Sequence, residues 1–301
     1  MSLLGELERR TPPRVALAVA IVAVSTSAIL IRLSDAPKGP MAFWRVAFTW
    51  LLLAPLALRS RADFGELRGR DLLSALLAGA ALAAHFASWF ESVDRTTVAA
   101  SVTLVTTQPA FVAVGAALLL DESLPRRVAL GIAIALAGSG LMSLDGLLGP
   151  TTAPEPLLGN ALALAGAVLA AAYVLAGRSV RQRVALIPYV LVVYVVCAAG
   201  LLAYTLAQGD PVFAYPAREW LLFLGMAIGP GVFGHTVVNW ALAHVESSVV
   251  SVSFVGEPVG STLLALLVLS EVPGAITVAG GAVVLAGIYI TAAARADGGD
   301  G

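Results

Sequence analysis

The segment Ser253–Gly260 (SFVGEPVG) places a carboxylate, Glu257, and a proline, Pro258, inside the otherwise uncharged run Ser247–Ser270. A run of this length can cross a bilayer as one helix. A charged side chain at the bilayer centre costs roughly 3 kcal/mol or more, and a proline within a helix frees a backbone carbonyl. Both groups need partners inside the protein, so Glu257 is the main candidate functional residue and Pro258 a candidate helix break.

A similar break occurs in the first half of the chain, where Gln108 precedes Pro109. Pro258 lies 149 positions after Pro109 (258 − 109), and three further pairs of residues share this offset. They are Glu122 with Glu271, Gly131 with Gly280, and Gly138 with Gly287. Each pair lies at the same point of a similar hydropathy pattern, which predicts an internal duplication.

The composition is that of an integral membrane protein. Of 301 residues, 59% are apolar and only 12% are charged, and the mean hydropathy is +0.90, whereas soluble domains contain about 25% charged residues. The net charge of −1 argues against a nucleic-acid partner, which would require a basic surface. The single cysteine, Cys197, excludes an intramolecular disulfide and is read as a small buried apolar residue.

Ten apolar runs predict an all-α membrane protein with ten transmembrane helices in two five-helix repeats. The predicted spans are 15–31, 39–58, 72–90, 96–120, 128–144, 157–177, 184–209, 220–245, 247–270 and 272–294. The predicted organisation is an N-terminal segment (1–13), a first repeat (14–145), an inter-repeat loop (146–156), a second repeat (157–294) and a tail (295–301). Glycine and proline are concentrated in the loop between the repeats, as expected of a linker.

The distribution of basic residues predicts the orientation. Thirteen of the 18 lysines and arginines lie on the side of the N-terminus, and four lie on the other side. The positive-inside rule then places both termini in the cytoplasm of a multi-pass protein of the inner (plasma) membrane. Because each repeat has an odd number of spans, the second repeat must be inverted relative to the first. Inverted repeats are typical of secondary carriers, whose binding site lies near the midplane.

Two helices carry polar pairs at the same spacing. His85 and Trp89 are four residues apart in the third span, and His235 and Asn239 are four residues apart in the eighth. Each pair lies on one helical face and could line a cavity. Alternatively, each histidine hydrogen-bonds to a neighbouring helix and contributes only to packing.

The fourth and ninth spans add further candidates. Ser101 and Gln108 share a face of the fourth span, and Ser253 and Glu257 share a face of the ninth. Gln108 is explained equally well as a partner for the carbonyls that Pro109 frees. Glu257 is the stronger candidate, because an ionisable group in the membrane is seldom retained for packing alone, and it could couple transport to protons.

Three other features have weaker signals. Gly229, Pro230 and Gly231 interrupt the eighth span and predict a hinge or an unwound binding segment. Tyr173 could line a cavity or belong to the core. Arg45 could pair with a carboxylate or cap a cavity, but the favoured interpretation is structural, with its charge extended to the membrane interface.

Glu122 and Glu271 close the fourth and ninth spans. They are explained as solvated charges or as caps of the following helices, and we leave them out of the predicted site.

These motifs resemble the drug/metabolite transporter superfamily and, within it, the EamA-type ten-helix carriers. The resemblance covers nearly the whole chain and rests on the duplicated five-span layout, on the residues 43–45 (FWR), and on the repeated proline, acid and glycine pattern. It implies a central cavity formed by spans one, three, four, six, eight and nine, alternating access, and export of amino acids or similar metabolites. The residues that it places at this cavity are His85, Trp89, Gln108, Tyr173, His235, Asn239 and Glu257.

The sequence therefore predicts a secondary transporter that moves a small amphipathic organic solute, such as an amino acid, out of the cell. One alternative is a membrane-embedded enzyme, but neither a nucleophile with a base nor a metal-ligand spacing is evident in the sequence. Another is a multispan scaffold or receptor, which would not require a charge in the membrane. No cofactor or metal is expected, and the sequence lacks a nucleotide-binding loop.

Overall fold

The computed structural model describes residues 12–57, 63–119, 125–148, 153–181, 183–237, 240 and 256–296. Across these ranges every regular element is helical, as the predicted all-α fold requires. The α-helices are α1 (Pro13–Ser25), α2 (Ser27–Leu33), α3 (Lys38–Ala57), α4 (Gly69–Arg95), α5 (Val98–Val105), α6 (Gln108–Leu119), α7 (Arg126–Leu148), α8 (Pro156–Arg181), α9 (Leu186–Gln208), α10 (Ala217–Met226), α11 (Gly256–Leu264) and α12 (Ala275–Ala296). Asp63–Glu66 is a 3₁₀ turn, and Ala227–Thr236 and Ala265–Leu269 are π-helices.

Several helical stretches have the length and apolar composition needed to cross a membrane. Among the described residues six qualify: Val15–Leu33, Lys38–Ala57, Gly69–Arg95, Val98–Gly115, Pro156–Gly177 and Leu186–Gln208. Gly256–Leu269 and Ala275–Thr291 are shorter apolar helices. Large apolar side chains such as Leu118 and Leu267 lie exposed on the outer surface. Such a surface suits contact with lipid rather than with water.

Helix ends differ from the predicted spans where polar residues continue a helix. α4 spans Gly69–Arg95 and so extends the predicted 72–90 at both ends. α7 continues to Leu148, into the predicted loop 146–156, and α12 continues to Ala296, into the predicted tail. Hydropathy locates the apolar part of a helix, whereas backbone hydrogen bonding and capping decide where the helix ends.

The fourth predicted span is broken as expected, but slightly earlier than Pro109. Thr106 and Thr107 form a turn between α5 and α6. The hydroxyl of each threonine donates to a carbonyl in the preceding turn at 2.6 Å. Pro109 then lies in the first turn of α6, where its missing N–H group costs little. These two carbonyls belong to Val102 and Leu104, whereas Pro109 removes the N–H partner of the Val105 carbonyl, so the role of Gln108 stays a prediction.

The two repeats meet where α7 packs antiparallel against α12. A Cβ atom added to Gly131 would lie 2.7 Å from the Gly287 carbonyl oxygen, and one added to Gly138 would lie 2.8 Å from that of Gly280. Gly280 is the duplicate of Gly131, and Gly287 is the duplicate of Gly138. Gly131 therefore contacts the duplicate of Gly138, and Gly138 contacts the duplicate of Gly131. A two-fold axis perpendicular to both helices relates these two contacts, as expected for the inverted repeats that the sequence predicts.

The remaining helices enclose an interior between the repeats. α4 packs along α8 and α9, and α3 packs along α9. The π-helix Ala227–Thr236 packs against α1 and α3. The largest buried apolar cluster lies among these elements and includes Phe86, Phe90 and Tyr194. The candidate site lies within this cluster.

Candidate functional site

Arg45 is a buried charge at the centre of the bundle. It lies in the first half of α3, its side chain is 2% exposed, and it is the largest of the fully buried side chains in the described part of the chain. Its Nη1 donates to Ser27 Oγ on α2 at 3.0 Å. The prediction that Arg45 extends to the membrane interface is therefore wrong, because the side chain points into the interior instead.

Aromatic rings of α4 surround the Arg45 guanidinium. Its Cζ atom lies 4.6 Å from the ring centre of Phe86, 5.6 Å from that of Phe90 and 5.9 Å from that of Trp89. The three aromatic residues are spaced three and four apart, which places them on one helical face. Each cation–π contact contributes about 0.5–2 kcal/mol, so this face helps to hold a permanent charge away from water.

A narrow cavity adjoins Arg45. Its lining residues are Arg45, Val46, Thr49, Leu82, Phe86, Tyr173, Tyr194, Gly231 and His235. Tyr173 and His235, two of the predicted site residues, are among them, whereas His85, Trp89 and Glu257 are not. In this conformation the space admits water-sized molecules only. A larger solute therefore requires the surrounding helices to move apart.

The two histidines of the predicted symmetric pair have different surroundings. The His85 Nδ1–H group donates to the Gly166 carbonyl of α8 at 2.8 Å, and its ring stacks on that of Trp89. His85 therefore joins two helices, which was the packing alternative for this residue. His235 lies at the cavity, with its ring edge-on to Phe86 at 6.1 Å.

The predicted break at Gly229, Pro230 and Gly231 is a π-helix rather than an unwound segment. The ten-residue element Ala227–Thr236 contains all three residues. A π-helix widens the turn and is frequent at functional sites. A Cβ atom at Gly231 would lie 2.4 Å from Thr49 Oγ1, so the glycine allows this helix to approach α3.

Glu257 lies in the first turn of α11, half-buried, with Pro258 buried beside it. Ser25 Oγ donates to the Glu257 carbonyl oxygen at 3.4 Å, and Ser261 Oγ donates to the Ser25 carbonyl oxygen at 3.1 Å. These bonds connect α11 to α1. Glu257 makes no contact ion pair with Arg45, whose Nη2 has no hydrogen-bond partner in the described structure.

The other predicted residues are not at the cavity or lie outside the described residues. Ser101 is fully buried and shares a hydrogen bond of 2.8 Å with Ser92, which joins α5 to α4. Gln108 is half-buried at the start of α6 and is not among the residues that line the cavity. Asn239 and Ser253 lie outside the described residues.

Several lining residues were not predicted. The resemblance places neither the second nor the seventh span at the cavity, yet α3 contributes Arg45 and Thr49 and α9 contributes Tyr194. Arg45 gave the one usable signal, because an arginine in an apolar helix is by default a functional candidate. Its spacing of four residues from Thr49 then predicts a polar face on α3. Phe86 and Tyr194 have no such signal in the sequence.

Glu271 has a different role from the predicted one. Its Oε1 accepts a hydrogen bond from the backbone N–H of Val98 at 2.6 Å, and its Oε2 lies 3.5 Å from Nη2 of Arg32. The same Arg32 nitrogen donates to the Thr96 carbonyl oxygen at 2.6 Å. Glu271 therefore caps α5 of the opposite repeat, rather than the following helix α12. Glu122, its duplicate, lies outside the described residues.

Comparisons with known proteins identify the family. Residues 14–144 and 157–293 each match the model of the EamA-like transporter family. The pseudopaline exporter CntI of Pseudomonas aeruginosa is 28% identical over 249 residues, covering 83% of this chain and 84% of that protein. An uncharacterized transporter of Archaeoglobus fulgidus is 26% identical over 293 residues, covering 95% of this chain and 99% of that protein.

A solved crystal structure has the same fold, with a TM-score of 0.65 over 93% of this chain and 96% of that one. Its sequence identity of 20% supports the fold alone. The family and the relatives' names indicate membrane transport of a small solute rather than enzymatic catalysis. Since the two matched stretches cover most of the chain, the protein belongs to the EamA-like transporter family of the drug/metabolite transporter superfamily.

Proposed function

We propose that this protein is a secondary transporter that exports an amino acid or a related zwitterionic solute through the central cavity by alternating access. The observation that carries the proposal is a buried arginine at the cavity, with an acidic side chain on a helix that packs against the same bundle. Arg45 is fully buried at the cavity, and Glu257 makes no contact ion pair with it. Between them, a zwitterion could place its carboxylate near Arg45 and its ammonium group near Glu257.

The apolar part of the solute would contact aromatic side chains. Phe86, Tyr173 and Tyr194 line the cavity beside Arg45. Such rings suit an amphipathic organic molecule better than an inorganic ion, which would need more polar ligands than this lining offers. The tyrosine hydroxyls add polar groups that could orient the solute.

Proton coupling at Glu257 is part of the proposal. A proton and a solute ammonium group would compete for the same carboxylate, so binding of one favours release of the other. This competition drives the solute outward when protons flow inward. The export function that the name of the Pseudomonas relative records supports this direction.

We further propose the topology that the sequence predicts, with ten spans, two inverted repeats and both termini in the cytoplasm. The helix breaks at Pro109 and at Gly229–Gly231 would act as hinges when the cavity opens. The exchanged glycine contacts of α7 and α12 support the inverted arrangement.

The proposal is tested by reconstituting the purified protein into proteoliposomes and measuring uptake of a panel of labelled amino acids, with and without a pH gradient. Saturable uptake of at least one amino acid that responds to the gradient is expected. Protein-free liposomes and liposomes containing the heat-inactivated protein serve as controls. Absence of uptake of the entire panel by folded protein would contradict the proposed substrate class.

A further inference from the structure

The Arg45 guanidinium has more hydrogen-bond donors than partners. A guanidinium presents five N–H groups. Within the part of the chain that the structure describes, Nη1 donates to Ser27, whereas Nη2 is buried and has no hydrogen-bond partner. The surrounding aromatic rings attract the positive charge but supply no lone pair to this N–H group. An unpaired buried donor of this kind costs about 1–3 kcal/mol, more for a charged group.

Trp89 has a second unpaired donor next to the first. Its side chain is 4% exposed, and in the described structure its indole Nε1 is buried and has no hydrogen-bond partner. Trp44 and Trp50 differ from Trp89 in this respect. The indole N–H of Trp44 donates to the Val212 carbonyl at 2.8 Å, and that of Trp50 donates to the Leu191 carbonyl at 3.2 Å.

The two unpaired donors belong to neighbouring side chains. The Arg45 Cζ atom is 5.9 Å from the centre of the Trp89 ring. A carboxylate has two oxygen atoms and can therefore accept one hydrogen bond from each donor at once. Glu257 does not supply this carboxylate here, because Nη2 of Arg45 has no hydrogen-bond partner in the described structure.

The charges favour a monocarboxylate over a phosphate. Arg45 provides one positive charge, and the nearest lining residues add no second permanent cation. A dianion would exceed the positive charge available in the interior, where an excess charge is costly. A carboxylate is neutralised by Arg45 alone, and its planar geometry matches that of the guanidinium.

We infer that Arg45 Nη2 and Trp89 Nε1 form the subsite that binds the carboxylate group of the transported solute. The inference rests on the proposed function and adds to it a required chemical group and a second donor, Trp89. The subsite distinguishes an acid from its amide or amine. An amide would offer one weaker acceptor and no charge, and an amine would repel Arg45.

The test uses formate, the smallest carboxylate, which needs the least widening of the cavity to enter. The unfolding temperature of the purified full-length protein is measured as sodium formate replaces sodium chloride at constant ionic strength. Formate is expected to raise the unfolding temperature saturably in the wild type. Trp89→Phe keeps the ring beside Arg45 but removes the N–H group, and should need at least about tenfold more formate for half the effect. Arg45→Lys tests the same site without removing the charge.

Trp50→Phe is the matched control, because it also removes one indole N–H group but leaves the subsite intact. It should lower the unfolding temperature without formate and retain the wild-type response to formate. An equal response of the wild type and Trp89→Phe, or no response of the wild type, would overturn the inference. The uptake assay is independent of this test, so a formate response without amino acid uptake would contradict only the proposed function.

Discussion

Arg45 is held in the interior by several partners of different kinds. Ser27 accepts one hydrogen bond, and three aromatic rings face the guanidinium. Removal of one partner from a buried charge typically costs about 3–5 kcal/mol, because the remaining charge stays buried without compensation. The buried charge of Arg45 is therefore linked to any anion that binds there.

We expect Glu257→Gln to remove the dependence of transport on the pH gradient. Glutamine keeps the size and hydrogen-bonding capacity of the side chain but cannot exchange a proton. Accumulation driven by a pH gradient should fall about tenfold or more, while exchange of labelled for unlabelled solute continues. Proteoliposome uptake and counterflow measure the two activities.

Glu155→Gln is the control for this substitution. Glu155 is an exposed carboxylate that pairs with Arg95 at 3.0 Å, outside the cavity. Its replacement should leave gradient-driven accumulation unchanged. If Glu257→Gln accumulates solute as well as Glu155→Gln does, the proton site lies elsewhere.

The sequence identified some residues of the site but not its central charge. The sequence predicts His235 and Tyr173 as cavity residues, and the structure places both beside Arg45. Arg45 was interpreted as an interfacial residue, because the sequence places it near the end of an apolar run. Whether such a side chain turns outward or inward depends on its neighbours, and Phe86, Phe90 and Ser27 come from other helices.

At the scale of elements, the π-helix Ala227–Thr236 packs closely against α3 at Gly231, which faces Thr49. The Thr49 hydroxyl donates to the Arg45 carbonyl at 2.7 Å and approaches the Ala227 carbonyl oxygen at 3.4 Å. The space that a side chain of residue 231 would need is thus occupied by Thr49. Thr49 and Gly231 both line the cavity, so their contact sets how closely α3 and the π-helix approach each other there.

We expect Gly231→Ala to reduce transport and to lower the stability by about 1–3 kcal/mol, as overpacking usually does. The added methyl group would meet Thr49 Oγ1 at 2.4 Å. Thr49→Ala removes that oxygen, so the double variant should recover part of the lost stability. Chemical unfolding in detergent measures the coupling between the two substitutions.

Gly229→Ala is the control, because its methyl group would meet Thr26 Oγ1 at an ordinary contact distance of 3.6 Å. It changes the same π-helix and the same residue type without a clash. A loss of stability equal to that of Gly231→Ala would mean that glycine flexibility, rather than the contact with Thr49, is required.

The contact between α7 and α12 makes a separate prediction. Gly138→Val should destabilise the protein by about 1–3 kcal/mol or more, because helices packed backbone to backbone cannot accommodate the added volume. A Cβ atom there would lie 2.6 Å from the backbone nitrogen of Val284. Gly140→Val, in the same helix but with open space around the added atom, should change stability far less. Thermal unfolding in detergent compares the two variants, and similar losses would contradict the packing argument.

The elements were predictable to the extent that hydropathy and glycine spacing define them. The offset of Gly131 and Gly138 from their duplicates predicted two repeats, and the family match supports them. The π-helical geometry of Ala227–Thr236 was not predictable, because Gly229, Pro230 and Gly231 are compatible with several kinds of break. Which kind of break forms depends on the packing of Gly231 against Thr49. These two residues are far apart in the chain, so the sequence alone does not show their contact.

At the scale of the whole molecule, Glu271 connects one end of the bundle across the repeats. It caps α5 and approaches Arg32, which also binds the Thr96 carbonyl oxygen. Glu271 and Val98 are 173 positions apart, so sequence proximity suggested the wrong helix for the cap. These contacts close the bundle at the end that the proposed topology places outside the cell.

We expect Glu271→Gln to favour opening at this end. Loss of one charge-assisted hydrogen bond of about 1.5 kcal/mol would change the ratio of closed to open molecules about tenfold. The change is measured with Thr49→Cys in a Cys197→Ala background, which leaves one thiol, at the cavity. In the Glu271→Gln variant, a water-soluble maleimide should label this thiol about tenfold faster.

Glu155→Gln again serves as the control, since it breaks an ion pair with Arg95 near the same end without touching α5. The labelling rate of Thr49→Cys should stay unchanged in that background. Equal labelling of the Glu271→Gln variant and this control would show that Glu271 does not hold the bundle closed.

The exchanged glycine contacts between α7 and α12 have a consequence for the ancestry of the protein. An interface related by a two-fold axis is self-complementary, so a surface with Gly131 and Gly138 can pair with a second copy of itself. A single five-helix chain could thus have formed a dimer before its gene was duplicated and fused, provided that its copies inserted in both orientations. Each half of the present protein still carries the glycine surface that contacts the other, and we expect the two halves to assemble when they are synthesised as separate chains.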